Sequence, residues 1–173
     1  MSFETSIDKF VRVLVEADIP VRAEDNREGL KELNAKLPKR ISRPFESFLS
    51  RYSFPEFDVC GITLFGWNSS WESTKYLEAI SAPKNSLAEL LLPAGYLQIG
   101  RPDTGDFDAI CFDLNDGGDQ RIVQADHEEI LCNCRVKITA ELWPSFITIV
   151  EKVLSGVDCG LHFEEPLDDD AVS

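Results

Sequence analysis

The chain begins with a helical repeat of apolar positions and changes, about a third of the way along, to an alternating repeat. In residues 5–18 the apolar side chains recur at helical spacing, which predicts an amphipathic helix with one buried stripe. Residues 26–37 and 37–52 continue the helical period, and Pro44 stands in the expected first turn of the second of these helices. From residue 57 onward apolar and polar residues alternate, which is typical of half-buried strands.

The pattern in the second part of the chain predicts short strands separated by turns, one helix among them and one closing helix. Strands are expected at 57–67 (with a turn or bulge at Gly61), 96–100, 108–114, 120–126 and 135–140, with helices at 71–80 and 143–154. The connecting segments RPDTGD and NDGGD are rich in residues that tolerate positive φ, as hairpin turns require. The pattern therefore predicts an α+β fold: N-terminal helices packed against a mainly antiparallel meander, closed by a C-terminal helix.

One domain accounts for most of the 173 residues. We expect this domain to comprise residues 1–155. Residues 156–173 carry six acidic residues and no Lys or Arg, a composition that predicts a mobile acidic tail.

The charge balance limits the classes of partner. The chain has 31 acidic and 17 basic residues, for a net charge of −14. Direct binding to nucleic acid or to an anionic membrane is not expected, because both rest on clustered Lys and Arg. A basic protein would instead be attracted. No transmembrane run or secretory signal is predicted, and the five cysteines are expected to be reduced thiols in the cytoplasm.

Four carboxylates surround one predicted turn, in the sequence IGRPDTGDFDAICFDL. Asp103, Asp106, Asp108 and Asp113 do not fit a calcium loop, which needs a central Gly and a Glu at its twelfth position. Strand alternation also sends Asp108 and Asp113 to opposite faces. The favoured interpretation is that Asp103, Asp106 and Asp108 stabilise the turn and are available to a partner, while Asp113 fixes the strand end.

His127, Cys132 and Cys134 form a second candidate site. They offer zinc ligands, and His127 with Glu129 matches half of the zinc-deaminase signature. The P-C-x-x-C half is missing, and C-x-C is not the usual spacing of structural zinc sites. The chain also lacks a G-x-S-x-G elbow and a phosphate-binding glycine loop. No catalytic residue, cofactor or metal is predicted.

Trp67 and Trp71 flank a polar loop and are the third candidate. Tryptophans are frequent in the centres of protein interfaces, which would make these two side chains aromatic anchors for a partner. The alternative is that both indoles close the core beneath the sheet.

Four stretches in the right order resemble the SUKH superfamily. LPKRISRPFESFLSRY resembles its Leu-Pro helix, and YLQIGRPDTGDFDAICFDL its central Ile-Gly, Gly-Asp and apolar-strand signature. DHEEI and WPSFITIVEKVL resemble the segments that follow, so the likeness extends from Leu37 to Leu154. One departure is RYSFPEF, which stands where many members have Asn-Gly-Gly.

The resemblance implies a non-enzymatic protein-binding domain of SUKH-like fold, most simply a bacterial immunity protein. Such a protein neutralises a toxin, for example a basic nuclease, by covering it. The residues predicted to contact the partner are Trp67, Trp71, Asp103, Asp106, Asp126, Glu128 and Glu129. The alternatives are a cytosolic regulatory or scaffold protein of the same fold and a metal-dependent hydrolase that uses the aspartates or the His127 group.

Overall fold

The computed structural model describes residues 2–68, 75–81 and 86–165. The helices are α1 (Phe3–Glu16), α2 (Arg27–Lys36), α3 (Arg43–Arg51), α4 (Lys75–Ser81), α5 (Ala88–Leu91), α6 (His127–Asn133) and α7 (Phe146–Leu154). The strands are β1 (Arg22–Ala23), β2 (Tyr52–Ser53), β3 (Phe57–Val59), β4 (Ile62–Leu64), β5 (Tyr96–Pro102), β6 (Ala109–Asp113), β7 (Ile122–Ala125) and β8 (Ile138–Trp143). Within the described ranges, no helix has the length and apolar character needed to cross a bilayer.

The longer strands form one antiparallel sheet in the order β3-β4-β5-β6-β7-β8. Each strand therefore pairs with its neighbour in sequence, which confirms the predicted meander. Strands β1 and β2 form a separate antiparallel pair beside it. With helices before and after the sheet, the fold is α+β, as the hydrophobic pattern predicts.

A cluster of phenylalanines joins the helices to one face of the sheet. The ring of Phe45 on α3 lies 4.9 Å, centroid to centroid, from both Phe112 on β6 and Phe146 on α7. Phe48 stacks on Phe146 at 5.7 Å, and Phe10 on α1 meets Phe48 edge-on at 5.7 Å. Aromatic pairs of this geometry add roughly 0.5–1.5 kcal/mol each to the stabilisation from buried area. Helices α1, α3 and α7 thus share one core with the sheet.

The opposite face of the sheet is also covered. Strand β6 is buried along its whole length. Its alternate side chains separate as predicted, since Ile110 and Phe112 belong to the core under α1, α3 and α7, whereas Ala109 and Cys111 face a second cluster. That cluster includes Leu91, Val123, Ala125 and Ile130. The short helices α5 and α6 supply its outer layer, and the hydrophobic pattern predicts neither of them.

The chain beyond residue 155 does not leave the domain where the composition predicts. Asp58 on β3 and His162 exchange backbone hydrogen bonds, and Cys159 is buried in the main core. The predicted boundary is therefore too early: residues 159–163, which we call the C-terminal strap, lie along the edge of β3. The physical reason is that the outer edge of β3 offers unpaired backbone groups, which the strap satisfies. Residues 166–173 lie outside the described residues.

The close approach of β4 and β5 generates a prediction about stability. A Cβ atom at Gly100 would lie 2.3 Å from the backbone oxygen of Thr63, whereas a Cβ at Gly117 would meet nothing within 4 Å. We expect Gly100→Ala to lower the free energy of unfolding by about 2 kcal/mol, and Gly117→Ala to change it by less than about 0.5 kcal/mol. Urea unfolding followed by circular dichroism measures both. Equal free energies of unfolding for the two variants would contradict the close approach of the β4 and β5 backbones at Gly100.

Candidate functional site

The turn between β5 and β6 carries three of the four carboxylates and is held by its own hydrogen bonds. Gly105 has a φ of 83°, a conformation that glycine adopts without strain. One side-chain oxygen of Asp106 accepts the backbone N–H of Asp108 at 3.2 Å. The backbone N–H of Asp103 donates to the carbonyl of Gly61 at 3.2 Å. The turn is thus a defined structure with Asp103 and Asp106 exposed on it.

Asp108 fastens this turn to the beginning of α6. Its Oδ1 accepts the backbone N–H of His127 at 2.9 Å and lies 2.8 Å from the imidazole Nδ1 of the same residue. Its Oδ2 accepts the side-chain amide of Gln124 at 2.7 Å. A carboxylate at the first N–H groups of a helix is also favoured by the helix dipole. Asp108 is therefore mainly a structural connection between β6, β7 and α6.

The ionisation of Asp108 and His127 is coupled by this contact. The hydrogen bond to Asp108 raises the pKa of the His127 imidazole above its ordinary value; partial burial opposes the rise, and the charges of Asp108, Asp106 and Glu128 add to it. Burial raises the pKa of the Asp108 carboxyl, but the hydrogen bonds from Gln124 and His127 outweigh it and leave that pKa below its ordinary value. The protonated imidazole beside an ionised carboxylate is thus the favoured pair in mildly acidic solution.

The acidic residues around α6 divide into two groups. Asp126 caps the helix by accepting the backbone N–H of Glu129 at 3.1 Å and lies 3.5 Å from the Lys137 ammonium. Glu129 forms an ion pair with Arg135 at 2.7 Å. Glu128 is exposed and, among the described residues, forms no side-chain hydrogen bond or ion pair. Asp126 and Glu129 are therefore partly neutralised by this chain itself, whereas Glu128 faces solvent.

Asp113 occupies the predicted place at the end of β6. It is 3% exposed. Its Oδ2 accepts two hydrogen bonds from the Arg121 guanidinium, at 2.9 and 3.0 Å, and its Oδ1 accepts the backbone N–H of Asn115 at 3.0 Å. The interpretation of Asp113 as a residue that fixes the strand end is confirmed.

Trp67 is a core residue, so the prediction that it is an exposed aromatic anchor is wrong. Its side chain is fully buried, and its indole N–H donates to the carbonyl of Leu49 at 2.8 Å. Its ring packs edge-on against Tyr76 at 5.6 Å. The physical reason is that the indole fills the space between α3 and the sheet and finds its hydrogen-bond acceptor there. Trp71, the other predicted anchor, lies outside the described residues.

Phe107 is the exposed aromatic residue that the sequence reasoning missed. It is 74% exposed, at the tip of the β5–β6 turn, and its ring lies 6.0 Å from the imidazole of His127. Leu131, one turn along α6, is 53% exposed. Both side chains border a cavity of about 510 Å³ that is also lined by Phe65 and Leu87. The signal in the sequence was a large apolar residue between two aspartates in a predicted turn.

We call Phe107, Leu131 and the exposed carboxylates of Asp103, Asp106 and Glu128 the Phe107 surface. It combines a small apolar centre with an acidic border, the usual anatomy of a protein interface. Its position depends on Asp108, because that residue holds the turn against α6.

An acidic groove adjoins the Phe107 surface along the β3 edge of the sheet. Its volume is about 890 Å³. The acidic residues that line it are Glu56, Asp58, Asp103, Glu164 and Glu165. Arg101 also lines the groove, but its guanidinium pairs with Glu56 at 2.5 Å. Negative charge therefore continues from the Phe107 surface to the strap.

Asp106, Asp108 and His127 are also the group that could hold a metal ion. Their ligand atoms lie within 4.8 Å of one another, and no other such group occurs among the described residues. The hydrogen bonds of the turn and of α6 already use Asp106 Oδ1 and both oxygens of Asp108. Cys132 and Cys134 are exposed at the far end of α6 and do not join His127 in this group.

Comparison with known proteins identifies no relative of this chain. No family model, no curated protein and no solved structure matches the chain. The SUKH resemblance of the four motifs therefore stays a prediction.

The Asp108–His127 contact predicts a pH-dependent contribution to stability. A raised folded-state pKa of His127 means that the stabilisation is fully present below about pH 6.5 and is lost as the pH rises through that pKa. Because the pKa of Asp108 is lowered in the folded state, its contribution to stability is present above the ordinary pKa of an aspartate and is lost as the pH falls through the lowered value. We expect His127→Gln to destabilise the protein most at about pH 5.5 and progressively less toward about pH 9. Chemical unfolding at several pH values measures this difference.

A double-mutant comparison provides the control. Asp108→Asn keeps an oxygen acceptor but removes the negative charge, so in that background the pH dependence of the His127→Gln effect should largely disappear. An NMR titration of the His127 ring should also show a midpoint that falls when Asp108→Asn is introduced. A midpoint that does not change would contradict the coupling.

Proposed function

We propose that this chain is a protein-binding domain that recognises a positively charged protein through the Phe107 surface. The observation that carries the proposal is an aromatic side chain, 74% exposed, held rigidly among exposed carboxylates. Exposing Phe107 to water costs stability that the fold does not recover internally, and burial against a partner would recover it. The defined turn also reduces the entropy lost on binding.

The charge of the chain supports a basic partner. A net charge of −14 attracts positive surfaces at long range and speeds their association. Asp103, in the same turn as Phe107, and Glu128, next to His127 on α6, supply exposed negative charge, and the acidic groove, which Asp103 also lines, extends it. A standard interface covers about 800 Å² on each partner, a small part of the 9460 Å² that this chain exposes.

Together with the SUKH resemblance, these features favour an immunity protein of the bacterial cytoplasm. Its partner would be a basic toxin domain, for example a nuclease, whose phosphate-binding surface carries the Lys and Arg residues that an acidic inhibitor can cover. The chain would act by occlusion, without turnover and without direct contact to nucleic acid or membrane. A regulatory or scaffold protein of the same fold would use the same surface for a different basic partner.

A metal-dependent hydrolase is the second candidate, because Asp106, Asp108 and His127 lie within ligand distance of one another. An ion bound through His127 Nδ1 would displace the 2.8 Å contact of that nitrogen with Asp108. Elemental analysis of the purified protein tests this function. One equivalent of tightly held zinc or manganese, lost in Asp108→Asn, would favour the hydrolase over the binding domain.

The principal test first searches the neighbouring genes for a basic toxin domain and purifies that domain in an inactive form. We expect Phe107→Ala to weaken the complex by about 30-fold, the effect of losing a central aromatic contact. The double substitution Asp103→Lys and Glu128→Lys should slow association by about tenfold in low salt and by less in high salt. Surface plasmon resonance measures both rate constants.

The matched control reverses the same number of charges elsewhere. Glu16 on α1 and Glu151 on α7 are exposed, so the pair Glu16→Lys and Glu151→Lys changes the net charge equally. If both double variants slow association equally, the effect depends on net charge alone, and this result would contradict a specific binding surface. If no toxin gene adjoins this one, the immunity role is contradicted and the scaffold role is favoured.

A further inference from the structure

The C-terminal strap brings two cysteines together that are far apart in sequence. Asp58 and His162 pair through backbone hydrogen bonds of 2.8 and 3.3 Å. Next to them, the backbone N–H of Cys60 donates to the carbonyl of Cys159 at 2.6 Å. Cys60 lies in the turn between β3 and β4, and Cys159 lies at the beginning of the strap. Backbone hydrogen bonds, and not contacts of the thiols, therefore hold the two residues opposite each other.

Both thiols belong to the same packed environment. Cys159 is 7% exposed and is part of the main core, and the half-buried Cys60 packs against that core. Burial raises the pKa of the Cys60 thiol to about 12, with a further contribution from its hydrogen bond to the Cys159 thiol, while the charge of Lys152 acts in the opposite direction. The side chains are therefore neighbours as well as the backbones.

The other cysteines lack such a partner in the described structure. Cys111 is fully buried on the face of β6 that belongs to the second cluster. Cys132 and Cys134 are exposed at the end of α6, where Cys134 has a φ of 48°. Their exposure makes them accessible to external thiol reagents, but they lie at the end of α6, on the other side of the sheet order from the β3–β4 turn that holds Cys60.

We propose that Cys60 and Cys159 are a modification site at which a reversible disulfide joins the strap to the β3–β4 turn. The oxidant is a small-molecule disulfide, RSSR. One cysteine thiolate attacks RSSR, forms a mixed disulfide and releases one RS⁻. The second thiolate attacks the protein sulfur of that mixed disulfide, forms the Cys60–Cys159 bond and releases the second RS⁻. Each released thiolate takes up a proton, so two protein thiols and one RSSR give one protein disulfide and two RSH.

The structure also predicts how this site behaves. The raised pKa of Cys60 keeps the attacking thiolate scarce at neutral pH, so exchange is slow there and faster in alkaline solution. A reducing thiol pool keeps the pair open, and a rising ratio of RSSR to RSH closes it. Closure ties the beginning of the strap to the β3–β4 turn, next to the acidic groove that Glu164 and Glu165 line.

The experiment uses the full chain with Cys132→Ser and Cys134→Ser, which removes the exposed competing thiols. The folded protein is incubated with excess glutathione disulfide at about pH 9, and intact mass and peptide mapping identify the product. We expect a mass loss of about 2 Da with a Cys60–Cys159 linked peptide. Dithiothreitol should restore the reduced mass, and the melting temperature of the oxidised form should rise by about 5 °C or more.

Adding Cys60→Ser or Cys159→Ser provides two controls, each checked for native circular dichroism. Neither variant should show the mass loss of about 2 Da, and neither should show the rise in melting temperature. Because Cys60 is only half buried, Cys60→Ser keeps the test available if Cys159→Ser fails to fold. Stable glutathione adducts without the linked peptide, absence of reaction up to about pH 10, or a lower melting temperature after linkage would each overturn the proposal.

Discussion

The burial of β6 on both faces is the constraint on which the rest of the structure depends. A strand with apolar side chains on both sides needs cover on each face, because either face left open would expose apolar surface to water. Phe112 and Ile110 are covered by the helical layer, and Cys111 and Ala109 by the cluster around α5 and α6. The short helix α6 therefore exists mainly as a lid on the sheet, and the position of its first residues is set by that packing.

The candidate site follows from this constraint. With α6 held over β6 and β7, the backbone N–H and the imidazole of His127, its first residue, lie beside the residue that precedes β6, and Asp108 contacts both. Asp108 in turn fixes the β5–β6 turn, which places Phe107 over His127 with its ring exposed. The Phe107 surface thus rests on a chain of contacts that begins in the core. Its shape is determined before any partner arrives.

The carboxylates of this protein serve different purposes although they are close together. Asp113, Asp108 and Asp126 are used inside the fold, as partners of Arg121, His127 and the α6 backbone. Asp103 in the β5–β6 turn and Glu128 on α6 remain exposed. The distinction matters for function, because an exposed carboxylate can attract a basic protein at no cost to the fold. If a ligand draws a carboxylate away from its internal partners, the fold loses the stabilisation that those contacts provide.

The sequence by itself determined the α+β class, the order of the meander, the closing helix and the two faces of β6, because these depend on local periodicity and on turn residues. It also identified Asp113 and the acidic turn. Only the tertiary structure decided that Trp67 is buried, that Phe107 is exposed and that residues 159–163 pair with β3. These outcomes depend on which surfaces meet across long sequence separations: an indole is equally suited to a core or an interface, and an acidic segment joins a sheet when an open strand edge accepts its backbone.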